Sequence, residues 1–128
     1  MLFRSATNLC AARVADNDGA QPRGVMTNED GPAAYFSTLP VNAILLAMRE
    51  AGLPAEISNS AGSFVCNHVF YALMHQAAAC GHRWRGGFLH VPHAFDATAR
   101  PQAKMKLDDI VRGIYVALNA AALNPASG

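Results

Sequence analysis

Three stretches of the chain carry apolar residues at helical spacing. Val41, Ile44, Leu45 and Met48 share one face, with Pro40 before them and Gly52 after. That pattern predicts a helix opened by proline and closed by glycine. Val69, Phe70, Leu73, Met74 and Ala77 predict a second helix over about residues 66–79, stopping before Gly81. Leu107, Ile110, Val111, Ile114 and Leu118 predict a last helix from about Leu107 to Leu123. Elsewhere the period shortens. Residues 4–10, where Ala6, Asn8 and Cys10 alternate with Thr7 and Leu9, read as a short strand, as do residues 54–58. Gly86-Gly87-Phe88-Leu89-His90-Val91-Pro92 reads as another, ended by proline. Residues 33–38 read as a short helical turn and residues 93–105 as a polar loop. Residues 11–32 carry Asp16-Asn17-Asp18-Gly19, Gln21-Pro22 and Glu29-Asp30-Gly31-Pro32, all turn signals. A loop of that length is more often functional than idle.

Helices and strands in alternation predict an α/β fold, an α/β/α sandwich with a largely parallel sheet, as a single domain over residues 1–128. In such sheets the chemistry gathers outside the carboxyl ends of the strands.

Composition narrows the picture only a little. The chain is 52% hydrophobic and 15% charged, which suits a packed core and excludes a disordered chain. A net charge of +1 with scattered Lys and Arg offers no nucleic-acid footprint. No apolar run is long enough for a bilayer span, and the N-terminus lacks the order of a signal peptide. The three cysteines, Cys10, Cys66 and Cys80, have no paired spacing. A disulfide framework is not expected, and a cytoplasmic location fits.

The candidate chemistry centres on Cys66. It follows a strand end and the small-residue turn Ala61-Gly62, and it stands where the second helix begins. The N–H groups and dipole of a helix start favour a thiolate, the form of cysteine that attacks carbonyls. The plain alternative is a small buried hydrophobe. His90 lies at a predicted strand end beside Pro92, on the rim expected for Cys66; its plain alternative is a satisfied core histidine. Cys80, at the far end of the same helix, reads as structural, and Cys10 as core-facing. His68, His75, His82 and His93 read as surface or helix-end residues. Cys66-x-His68 with His90-x-x-His93 could be assembled into a metal set, but the spacings match no standard zinc motif. Arg13 and Asp16 stand in the turn-rich loop, where charges are usually just solvated.

Longer runs carry a resemblance. Ser58-Asn59-Ser60-Ala61-Gly62-Ser63-Phe64-Val65-Cys66-Asn67 resembles the active-cysteine motif of the pyroglutamyl peptidase I family, also called pyrrolidone carboxyl peptidases. Gly87-Phe88-Leu89-His90-Val91-Pro92 is similar to the segment carrying that family's histidine. Ala12-Arg13-Val14-Ala15-Asp16-Asn17-Asp18-Gly19-Ala20-Gln21-Pro22 is similar to its A-R-I-P-D-N-x-G-x-Q-P loop, and Glu29 to Pro40 is also typical. The resemblance implies a phosphorylase/hydrolase-like sandwich and a cysteine peptidase that removes N-terminal pyroglutamyl residues from peptides through a thioester. It implies Cys66 as nucleophile and His90 as its base. Phe64 and Val65 would hold the pyroglutamyl ring, with Arg13 near the oxyanion and Asp16 supporting the site. No metal or organic cofactor is implied. The partners implied are peptides with N-terminal pyroglutamate, not nucleic acid or membrane, and the family's self-association implies a possible homo-oligomer.

The same comparison shows departures. The family's E-R-x-A-x-N motif aligns with Phe3-Arg4-Ser5-Ala6-Thr7-Asn8, so Phe3 stands where a glutamate orients the histidine. A G-F-x-P-F substrate loop is absent, so the chain resembles the C-terminal part of the enzyme. The alternative expectation is therefore a catalytically impaired or inactive, truncated family member acting, if at all, as an assembly or binding piece.

Overall fold

The computed structural model describes residues 1–94 and 105–125. In chain order the elements are β1 (Leu2–Phe3), β2 (Ser5–Thr7), β3 (Cys10–Ala11), β4 (Arg23–Val25), β5 (Ala34–Phe36), α1 (Val41–Glu50), β6 (Ile57–Ser58), α2 (Val65–Ala79), β7 (Phe88–Leu89) and α3 (Leu107–Leu123). The expected α/β class holds. Strands β6, β1 and β7 lie side by side in that order. Leu2 N–H donates to Glu56 O and Arg4 N–H to Ser58 O, so β1 and β6 advance in step and run parallel. Met1 and His90 instead exchange reciprocal backbone bonds, the antiparallel signature. Two-stranded antiparallel sheets join β2 to β5 and β3 to β4. The sheet content is mixed. The polar loop expected over residues 93–105 falls mostly outside the described residues.

The chain divides into two compact units. One comprises Met1–Leu2, Pro40–Ile57 and Leu89–Gly128, and is built on α1 and α3. Helix α1 ends as its glycine predicts. Gly52 takes φ +72°, and Gly52 N–H and Leu53 N–H return to Arg49 O and Met48 O, a Schellman close. Val41, Ile44 and Met48 of α1 are buried. Helix α3 corrects its expected stripe: of those five residues only Ile110 is buried, whereas Leu107, Val111, Ile114 and Leu118 are exposed. Its buried face is instead Ile110, Gly113, Ala117 and Ala120. Small side chains let the helices approach closely: a Cβ at Gly113 would lie 3.4 Å from Met48 Cε. Arg112 donates to Ala51 O at 3.0 Å, and its 3.9 Å ion pair with Asp109 is exposed and contributes little.

The other unit comprises Phe3–Leu39 and Ser58–Phe88. Residues 33–38, expected as a helical turn, instead contain β5, which pairs Ser5↔Phe36, Ala6↔Tyr35 and Thr7↔Ala34 with β2. Tertiary pairing outweighs local preference there. Within the expected loop, β4 pairs with β3, with an irregularity at Cys10/Ala11. Helix α2 packs on β2 and β5 and closes, like α1, through a positive-φ glycine, Gly81. Its core face is Asn67, Phe70, Tyr71, Met74 and Ala77, so the expected stripe is rotated: Val69 and Leu73 are exposed. Phe3, Ala6, Phe70, Tyr71 and Met74 form the core cluster, with Phe88 packed against it. The Phe88 ring centroid lies 5.9 Å from that of Phe3 and 5.8 Å from that of Phe70.

A polar girdle borders this core. Tyr71 Oη donates to Pro32 O at 2.7 Å, and a Cβ on Gly31 would collide with that hydroxyl. His75 stacks on Tyr71. The Asn28 amide nitrogen, 3.1 Å from His75 Nε2, can only donate. His75 Nδ1 therefore carries the proton and donates to Tyr35 Oη at 2.9 Å. His75, read from the sequence as a surface or helix-end residue, is half-buried and fully engaged.

Two outcomes follow for stability. Phe70→Ala lowers the unfolding free energy by about 3–5 kcal/mol and the exposed Val69→Ala by about 0.5 kcal/mol or less, read by urea titration. Burial raises the Tyr71 pKa above its ordinary 10.0. The folded state thus holds the phenolic proton more tightly than the unfolded chain. That stability is fully present below the unfolded value and is lost as pH climbs through the folded one. Melting curves above about pH 10 decline less steeply in Tyr71→Phe than in the unsubstituted chain.

Candidate active site

Cys66 occupies the first turn of α2, one residue after the helix's first residue, Val65. The chain enters the helix through Phe64 in extended conformation (φ −106°, ψ −156°) with no side-chain cap. No acidic residue stands in the first turn. The positive end of the helix dipole is therefore left to whatever anion forms at this turn. Gly62, with φ +80°, makes the tight bend before it. Ser60 Oγ accepts from Gly62 N–H at 3.0 Å, and Ser58 Oγ donates to Ser60 O at 2.9 Å, so the bend is braced by its own serines.

The same unit brings the cysteine's neighbours together with the long loop. A cavity of about 380 Å³ is lined by Cys10, Val14, Asp16, Phe64, Val65 and His68, among others. Its volume lies within the range of small-ligand sites. Asp16 Oδ1 accepts from Asp18 N–H at 3.0 Å and from Ala20 N–H at 2.8 Å. Asp16 N–H in turn donates to Ala20 O at 3.0 Å. Its carboxylate thus holds the turn that forms one wall of this cavity. Arg13 stands exposed on the same loop. Cys10, expected to face the core, is only half-buried and lines the cavity. Cys80 is the C-cap of α2, with Gln76 Nε2 3.5 Å from its sulfur.

His90 belongs to the other unit. Directly after β7, it is fixed through its backbone by the reciprocal bonds with Met1. It borders a cavity of about 580 Å³ together with Met1, Arg49, Glu56, Pro92 and Met105, among others. Burial lowers the pKa of the Met1 ammonium there, partly offset by nearby Glu56. Phe3 is buried in the apolar cluster. Among the described residues, no three His, Cys, Asp or Glu side chains converge as a metal-binding group. No helix among them is long and apolar enough to cross a membrane.

Two residues that sequence reading passed over shape the site. Asn67 is completely buried and bonded to Thr7 and Leu9, while Asn8, between them, bonds the turn at residues 28–31. The signal for Asn67 was available: it lies three and four residues before Phe70 and Tyr71, on the buried face.

The site therefore defines an α/β protein with a cysteine at a helix start, directly after two residues that line a small cavity. The family model described as pyroglutamyl peptidase matches residues 2–124, and the chain belongs to that family. It is 52% identical over 118 residues to a pyrrolidone-carboxylate peptidase of Cupriavidus pinatubonensis, covering 90% of this chain and 55% of the relative. It is 45% identical over 117 residues to one of Bacillus cereus, covering 90% and 54%. Among solved structures, pyroglutamyl peptidase I of Bacillus amyloliquefaciens superposes with a TM-score of 0.90 at 38% identity, covering 99% of this chain and 62% of that one. The pyrrolidone carboxyl peptidase of Thermococcus litoralis gives 0.85 at 36% identity, covering 94% and 58%. The chain spans about half the length of the curated relatives it matches.

Proposed function

We propose that this chain is a cysteine peptidase that releases N-terminal pyroglutamate from peptides, with Cys66 as nucleophile and His90 as its proton carrier. The observation that carries the reading is Cys66 in the uncapped first turn of α2, with both preceding side chains, Phe64 and Val65, on a cavity of ligand size. Family membership supports the choice of substrate.

In the proposed reaction the Cys66 thiolate attacks the pyroglutamyl carbonyl of the scissile amide, forming a C–S bond and a tetrahedral oxyanion. Arg13 and the Cys66 backbone N–H stabilise that oxyanion. Collapse breaks the C–N bond, and His90 passes its proton to the departing amine. Water, deprotonated by His90, then attacks the thioester, freeing pyroglutamate and the thiolate. Phe64 and Val65 hold the lactam ring. Asp16 acts by keeping the turn over residues 16–20 in place. No metal or organic cofactor takes part in this scheme.

A second reading starts from the resemblance, which sets Phe3 where a glutamate would orient the histidine, and is supported by the burial of Phe3 with Phe70 and Phe88. Phenylalanine cannot accept an imidazole N–H. Loss of an orienting carboxylate costs about 10⁴ in rate in the serine-triad case, so on this reading the chain binds more than it turns over.

Hydrolysis of a pyroglutamyl arylamide by the 128-residue chain tests both. Turnover abolished in Cys66→Ala supports the peptidase. Absence of turnover by folded protein, with the substrate still bound, supports the second reading. Phe3→Glu lowers thermal stability, because a carboxylate enters an apolar cluster, and raises turnover at least tenfold if the glutamate position alone limits activity.

A further inference from the structure

We propose that Asn67 is a positioning residue for the nucleophile, setting where the first turn of α2 places Cys66. This rests on the reading of Cys66 given above. Asn67 stands on the core face of α2 with Phe70, Tyr71 and Met74, where an apolar side chain would satisfy packing alone. It is instead a fully buried amide with every polar valence used. Its Oδ1 accepts from Thr7 N–H at 2.9 Å and from Thr7 Oγ1 at 3.4 Å. Its Nδ2 donates to Thr7 O at 2.8 Å and to Leu9 O at 2.9 Å.

The amide thus pairs with Thr7 as a neighbouring strand would and adds a third anchor at Leu9. Only one orientation satisfies the set, since a flipped amide would set its nitrogen against Thr7 N–H and its oxygen against two carbonyls. Aspartate would face those carbonyls without donors, and leucine would take the amide partner from Thr7 N–H and Leu9 O and leave Thr7 O only its bond from Leu9 N–H. The segment being gripped is itself held: β2 pairs with β5, and Ala11 N–H donates to Ser63 O at 2.7 Å. Residues 63–67 are therefore pinned at both ends, at Ser63 and at Asn67, with Cys66 between the pins. Catalysis by a nucleophile is sensitive to displacements of about 1 Å, and this double pin suppresses rotation and sliding of that turn.

The test compares two alkylating agents on the 128-residue chain. Iodoacetamide needs only an accessible thiol, whereas a pyroglutamyl chloromethyl ketone needs the thiol aligned with a seated ring. In Asn67→Ser the Cys66 labelling rate with the pyroglutamyl reagent falls by about ten- to a hundredfold, while its iodoacetamide rate changes by about twofold or less, the scale of a small electrostatic change. An unchanged ratio between the two reagents in a cooperatively melting variant overturns the proposal and leaves the peptidase reading intact. If the unsubstituted chain shows no preference for the pyroglutamyl reagent, the peptidase reading fails first and takes the proposal with it. Should Asn67→Ser not fold, Asn67→Gln, which keeps the amide's donor and acceptor on an arm one methylene longer and adds no charge, carries the same comparison. Failure of both variants to fold makes Asn67 a core-stability residue and overturns the positioning role.

Discussion

The start of helix α2 is where local and tertiary structure have to agree. Its first turn is attached to the segment over residues 7–11 by the Asn67 amide and by the Ala11–Ser63 backbone bond. Those bonds decide which face of α2 meets the core, and therefore why Phe70, Tyr71 and Met74 are buried while Val69 and Leu73 are not. They also decide where Phe64, Val65 and Cys66 emerge. A helix held only by apolar packing could rotate by part of a residue at small cost. A buried amide with four satisfied bonds could not, because each broken bond leaves a desolvated polar group worth about 1–3 kcal/mol.

A similar division of labour runs along the loop over residues 11–32. Asp16 closes the turn that walls the cavity, and the Asn8 side chain holds the Asn28 backbone, donating to Asn28 O and accepting from Asn28 N–H. Asn28 passes the connection on to His75, Tyr35 and Tyr71. The loop is thus an ordered wall built from short polar side chains, each used in the way its geometry permits. This explains how so long a stretch with little regular structure keeps a defined surface beside the cysteine.

What the sequence made legible was governed by the range of the interactions. The three helices are found close to their expected bounds because their punctuation is local: Pro40 and Gly52 around α1, Gly81 after α2. The cysteine at a helix start is equally local. The strands were harder, since β5 owes its extended form to β2 about thirty residues earlier, and a two-residue strand has no period to detect. Helix faces were misjudged for a different reason. Hydropathy ranks Leu107, Val111 and Leu118 above Gly113, Ala117 and Ala120, but α3 approaches α1 through its small residues. The roles of Asn67 and His75 depended on partners at long range, Thr7 and Leu9 for one and Asn28 and Tyr35 for the other.

The central claim is that Cys66 forms a covalent acyl intermediate, and it can be read directly. The 128-residue chain is mixed with a pyroglutamyl arylamide, quenched in acid within the first turnover and digested, and its cysteine peptides are weighed. The account predicts that the peptide containing Cys66 gains the mass of one pyroglutamyl group, while those containing Cys10 and Cys80 are unchanged. An acyl group on either of the other cysteines, or none on Cys66 while arylamine is being released, would contradict it.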